Sequence, residues 1–184
     1  FTLHGLMDQP PHDEEGAAPW ITIALQDVQQ LVADFAAARA AEGRALQEIL
    51  AAQIETVTRL TAEAKQAADT RGPKVAETLR ANVAKLMQNA DGLDEARITQ
   101  ELALLAVKSD VTEELDRLAA HAGAAAEMLR VEGPIGRKFD FLMQEFNREA
   151  NTLCSKSGST ELTRIGLDLK TVIDQMREQV QNVE

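Results

Sequence analysis

The sequence predicts an all-α protein, about five long antiparallel helices forming an elongated bundle or hairpin, on three observations. The composition leans to alanine, leucine, glutamine and glutamate, with no tyrosine and a single tryptophan, and such residues favour helix over sheet. Apolar residues recur at spacings of three and four, the period of one helix face. Gly-Pro and Asp-Gly steps fall between the periodic stretches, where helices stop and restart. A chain of 184 residues, 45% of them hydrophobic, has enough apolar surface for a core.

Residues 1–19 hold three prolines, two glycines and the acidic run Asp13-Glu14-Glu15. They read as a connector, and the first residue, Phe1, suggests that an N-terminal domain is missing. Residues 20–90 read as a long helical hairpin region. Its first arm runs from about Asp27 to Asp69 with Val28, Leu31, Val32, Phe35, Leu46, Ile49, Leu50, Ile54, Val57 and Leu60 as stripe. Arg71-Gly72-Pro73 is expected to end that helix and start another. Trp20 is expected to anchor the start of the helical body.

Residues 91–184 read as a C-terminal helical domain. After the Asp91-Gly92 turn, residues 94–131 form one helical stretch with Ile98, Leu102, Leu105, Val111, Leu115 and Leu118 inward. Gly133-Pro134 closes it. The next helix spans 136–157, and a last one from about Thr160 carries Ile165, Leu169, Val172, Met176, Val180 and Val183. Short turns should make neighbours antiparallel.

The net charge of −11 excludes a surface that binds nucleic acid throughout, because phosphate contacts need clustered cations. One window departs from this. In "GRKFDFLMQEFNREANTLCSKS", residues 136–157, Arg137, Lys138, Arg148 and Lys156 outnumber Asp140, Glu145 and Glu149. No run has the roughly 18–20 apolar residues of a membrane span, and no signal-peptide pattern opens the chain. The expectation is a soluble, cytoplasmic protein. The single cysteine fits that compartment, excludes an internal disulfide, and reads as a small packed side chain.

On a helical wheel the window has Phe139, Leu142, Phe146, Ala150 and Leu153 on its buried face. Lys138, Glu145, Glu149, Thr152 and Lys156 lie on one flank; Arg137, Gln144, Arg148 and Asn151 lie on the other. Glu145 and Glu149, four apart, make half of a divalent-metal site, or a solvated face of the kind many helices carry. In "KSDVTEELDRLAAH", Asp110, Glu114, Arg117 and His121 form a polar stripe, which supplies further ligands or an ion-pair ladder from Glu113 to Arg117. Histidine with carboxylates suits manganese, iron or zinc, whereas all-oxygen sites suit magnesium. His4 and His12 fall in the connector and read as solvated. No phosphate-cradling glycine loop or two-cysteine ribbon is present.

Three segments, "QELALLAVKSDVTEELDRLAAH", "GRKFDFLMQEFNREANTLCSKS" and "LKTVIDQMREQVQNVE", with "RAAEGRAL" at 39–46, closely resemble the YicC-like family of bacterial endoribonucleases. The resemblance covers roughly residues 39–184. It implies a C-terminal portion of a divalent-metal-dependent ribonuclease, with Mn2+ or Mg2+ as cofactor. It also implies RNA as substrate, a hexamer for the full-length protein, and other RNA-decay proteins as partners. The family pattern covers Glu101, Asp110, Glu113, Glu114, Arg117 and His121, and Arg137, Gln144, Glu145, Asn147, Arg148, Glu149, Asn151 and Lys156. The expected metal ligands are Asp110, Glu114, His121, Glu145 and Glu149; catalysis is expected from His121, Glu145, Glu149 and Glu114. Arg137, Lys138, Arg148, Asn151 and Lys156 are expected at RNA. The competing reading is a non-catalytic helical module that oligomerises and presents RNA to another nuclease.

Overall fold

A computed structural model describes residues 14–89, 95–131 and 133–181. Among them the regular structure is entirely helical, as the composition and periodicity predict: α1 (Glu14–Asn89), α2 (Glu95–Lys108), α3 (Thr112–Met128), α4 (Gly136–Lys156) and α5 (Thr160–Val180). The chain divides into two units, Phe1–Ala45 and Leu46–Glu184.

In the first unit, residues 19–45 are helical and exposed throughout. Trp20 is 73% exposed, so it does not anchor the helical body. Val28, Leu31, Val32 and Phe35 are likewise uncovered; the Arg39 guanidinium stands over the Phe35 ring at 5.9 Å. Of the expected connector, residues 1–13, with His4 and His12, lie outside the described residues, and Glu14 already opens α1.

The second unit holds the core. Leu50, Ile54, Val57, Leu60 and Ala64 of α1 meet Leu115, Leu118 and Ala122 of α3, Phe139, Phe146 and Leu153 of α4, and Leu162, Leu169, Ile173 and Met176 of α5. Each large aliphatic side chain buried this way contributes about 1.5–3 kcal/mol. The apolar stripe foreseen for α4 is buried in full, as are Ile165, Leu169, Met176 and Val180 of α5, while Val172 is half-buried and Val183 lies outside the described residues. Cross-helix bonds give the directions. Gln47 donates to the Leu129 carbonyl at 2.7 Å and Lys65 meets Asp116 at 3.3 Å, so α1 and α3 run antiparallel. Asn147 bonds Asp174 at 3.2 Å and Cys154 packs at Gly166, so α4 and α5 do too.

Two boundaries differ from expectation. Residues 20–89 form a single helix rather than a hairpin, because α1 continues through Arg71-Gly72-Pro73. An interior proline costs a helix about 3 kcal/mol or more by losing one hydrogen bond and crowding a carbonyl. At the same turn Arg71 ties α1 to its neighbours, donating to the carbonyls of Ser109 at 2.7 Å and Lys156 at 3.2 Å. The stretch 94–131 is conversely two helices, broken at 109–111. There Asp110 accepts from the Thr112 N–H at 2.9 Å and its hydroxyl at 2.7 Å, a local turn that competes with helix. Leu105 is 53% exposed and Ile98 and Leu102 only half-buried, so the inward face begins at Val111.

Between α4 and α5, Gly158 takes a φ of +54°, the left-handed turn that lets the chain reverse within three residues. Ser159 then caps α5, accepting from the Leu162 N–H at 3.2 Å.

Candidate metal centre on the seam between α3 and α4

The antiparallel pairing of α3 with α4 lines up two ion pairs and a cluster of three polar side chains. Lys156 Nζ meets Glu114 Oε1 at 2.8 Å. One helical turn further along α3, Arg117 Nη1 meets Glu149 Oε1 at 3.2 Å, while its Nη2 bonds Glu113 on its own helix. A further turn on stands His121, opposite Glu145 and Glu149. One donor atom from each of His121, Glu145 and Glu149 lies within 4.8 Å of the others. The local reason is helical spacing: Glu114, Arg117 and His121 share one strip of α3, and Glu145, Glu149 and Lys156 share one strip of α4.

Electrostatics make the triad unusual for a packed seam. Glu149 is only 3% exposed, Glu145 is half-buried, and no hydrogen bond or ion pair reaches Glu145 among the described residues. The Nε2 of His121 is buried and has no hydrogen-bond partner. The imidazole is fixed by Phe146, whose ring meets it edge-on at 5.6 Å and 69°. A buried polar atom without a partner costs about 1–3 kcal/mol, and two close carboxylates repel. An imidazole nitrogen with two carboxylates is a donor set that manganese, iron or zinc accepts. The residues present therefore fit a divalent cation.

Toward the other end of the seam, Glu114 is 5% exposed, and its Oε2 is buried without a partner. Its hydrogen bond is the main cause that holds the Lys156 ammonium above its ordinary pKa. The bond to Glu149, followed by the charge of Glu113, likewise raises Arg117.

The family described as "Endoribonuclease YicC-like, C-terminal" matches residues 62–184, which include all of α2 to α5 and the triad. The chain belongs to the YicC-like family. It is 36% identical over 181 residues to the "Probable endoribonuclease YicC" of Haemophilus influenzae, covering 98% of this chain and 61% of that protein. A protein of the same name from Clostridioides difficile is 33% identical over 159 residues, covering 86% of this chain and 54% of that protein. The chain thus spans between half and two thirds of the length of these relatives.

Within this YicC-like region, the structure brings together three of the five expected ligands. Asp110 and Glu114 fall outside the triad: Asp110 serves the Thr112 turn and Glu114 is engaged by Lys156. Of the residues expected at RNA, Arg137, Lys138, Arg148 and Asn151 are exposed on α4, whereas Lys156 is tied to Glu114. Asn147 bonds Asp174 across the other seam. Cys154 is half-buried against Gly166, and burial pushes its thiol up, the environment of a packed side chain.

The two ion pairs between the helices went unread in the sequence, although a signal for them existed. Folding the chain back on Gly133-Pro134 pairs residues whose numbers average to about 133–135, and both 117 with 149 and 114 with 156 satisfy this. No helix among the described residues is long and apolar enough to cross a membrane.

Proposed function

We propose that the protein acts as a divalent-metal-dependent endoribonuclease cleaving RNA phosphodiester bonds, with His121, Glu145 and Glu149 as the metal ligands. The observation that carries this reading is the triad itself, three donors within 4.8 Å with the His121 Nε2 buried and unpartnered. The names of the relatives supply the substrate class. Of the two expected cofactors, Mn2+ suits the imidazole in this donor set better than Mg2+, and bound there it would supply a Lewis acid that polarises a phosphoryl oxygen and acidifies water.

The remaining roles belong to the chain's own side chains. Glu149, held rigidly by burial, sets the geometry of the donors, and Phe146 keeps His121 turned toward them. Glu145, which no hydrogen bond or ion pair engages among the described residues, would offer one carboxylate oxygen to the cation and leave the other to a water beside it. Glu114 acts through Lys156, whose ammonium it holds beside the seam. Arg137, Lys138 and Arg148 offer exposed cations to the RNA backbone and Asn151 a carboxamide. The same reading assigns the protein to the cytoplasm.

A homo-oligomer belongs to this reading as well. Ile21, Leu25, Val28, Val32 and Phe35 recur at alternating spacings of four and three, a coiled-coil seam, and all are exposed. That seam also favours the competing reading, a non-catalytic oligomerisation and RNA-adaptor module. A hairpin RNA incubated with the full-length protein, with Mn2+ and with chelator, separates the two. The enzyme reading expects cleavage that chelator stops and that Glu149→Gln and His121→Ala abolish with helicity intact. Wild-type rates in both variants would overturn the site.

A further inference from the structure

Arg117 is the cation that the structure places on a donor of the triad. Its guanidinium bridges two acids of contrasting burial: the Glu149 side chain is 4% exposed and that of Glu113 is 69% exposed. Arg117 itself is about half exposed, 49%, so it stands where the seam opens to solvent. A buried carboxylate left without a positive charge is strongly unfavourable. In the absence of a metal, that charge comes from Arg117 Nη1 at 3.2 Å. A divalent ion among His121, Glu145 and Glu149 delivers more charge to the same carboxylate, and two cations on one carboxylate repel each other.

From this arrangement, and resting on the metal-dependent reading above, we infer that Arg117 is a resident counter-ion of the centre, displaced from Glu149 by the divalent cation and retained by Glu113. Glu113 is the piece that makes the exchange cheap. The guanidinium keeps a charged partner on its own helix, four residues away, and needs no new contact. A different role is open to an arginine in this position: to stay on Glu149 and orient it toward the metal. That role carries the opposite sign, because losing an orienting partner weakens metal affinity by about 10- to 100-fold.

Titration calorimetry with MnCl2 on the 184-residue chain separates them, with circular dichroism as the check on folding. Arg117→Gln is expected to bind Mn2+ about tenfold more tightly than the wild type, the order of one hydrogen bond from a half-exposed guanidinium to a carboxylate. Glu113→Gln, which leaves Arg117 no alternative acid, is expected to bind Mn2+ more weakly. That loss should shrink in the Arg117→Gln background, because the competing guanidinium is gone. Unchanged or weaker binding in Arg117→Gln overturns the displacement. If that variant loses helicity, Glu113→Gln alone decides, and an unchanged affinity there overturns it too. Saturable wild-type binding with no tightening in Arg117→Gln rejects only the counter-ion role. No saturable wild-type binding rejects the metal reading and this inference together.

Discussion

Along α4, the seam with α5 and the seam with α3 use similar residue types to different effect. On the α5 side, Cys154 closes against Gly166, Asn147 bonds Asp174 at 3.2 Å, and the hydroxyls of Ser157 and Thr163 bond each other at 2.6 Å. On the α3 side, two acids are almost fully buried, and both His121 Nε2 and Glu114 Oε2 lack partners. A seam built for stability satisfies its polar groups, whereas the α3 side leaves single polar atoms without partners among the described residues, which the proposed reading assigns to a cation site. The contrast teaches that α4 packs on both sides and, on the proposed reading, also forms one wall of a metal site.

The largest effect on stability should come from the α5 side. Leu169 is fully buried, and Leu169→Ala should lower unfolding free energy by about 2–5 kcal/mol in urea titrations. The Mn2+ affinity of the protein that remains folded should not move; a parallel loss would show that the two seams are one unit. Gly166→Ala should cost about 1–3 kcal/mol, since the added Cβ would sit 2.6 Å from Cys154 Sγ. Cys154→Ala in the same chain should restore most of the thermal midpoint by making that space.

On the α3 side, the balance between stability and binding should reverse. Glu149→Gln removes a buried charge beside Glu145 yet keeps an oxygen for Arg117, so stability should change by less than about 1 kcal/mol. A larger fall in the urea midpoint would place Glu149 with the structural groups.

The smallest effect should lie away from both, at the α3 turn. The Thr112 backbone N–H, followed by its hydroxyl, holds the Asp110 carboxyl below the usual carboxylate range. Its contribution is therefore present above the unfolded carboxylate pKa and is lost as pH falls through the folded one. The thermal midpoint of the wild type should exceed that of Asp110→Ala slightly at pH 6, and the gap should close on acidification. A gap that widens instead would reverse the sign of this assignment.

Much of this was legible in the chain. The buried stripe of α4 follows from Phe139, Leu142, Phe146, Ala150 and Leu153 at helical spacing, and the Glu145 and Glu149 strip follows from the same wheel. His121 could be brought toward them because Gly133-Pro134 forces a return. What was illegible depends on long-range contacts. Glycine and proline at 72 and 73 announce a break, yet α1 continues there, where Arg71 reaches Ser109 and Lys156 across the fold. Asp110 looked like a ligand because its spacing to Glu114 suits one helix. Its carboxylate instead turns back onto Thr112 and starts a new helix. Trp20 shows a further limit: an aromatic at the start of a periodic stretch suggests an anchor, but periodicity cannot say whether a face is covered.

Titration of the wild-type chain with MnCl2, alongside Glu149→Gln and His121→Ala, tests the central claim most directly. The account predicts one saturable site in the wild type, weakened at least about 100-fold in both variants while their helicity persists. Unsaturable binding in the wild type, or equal affinity in all three proteins, would contradict it.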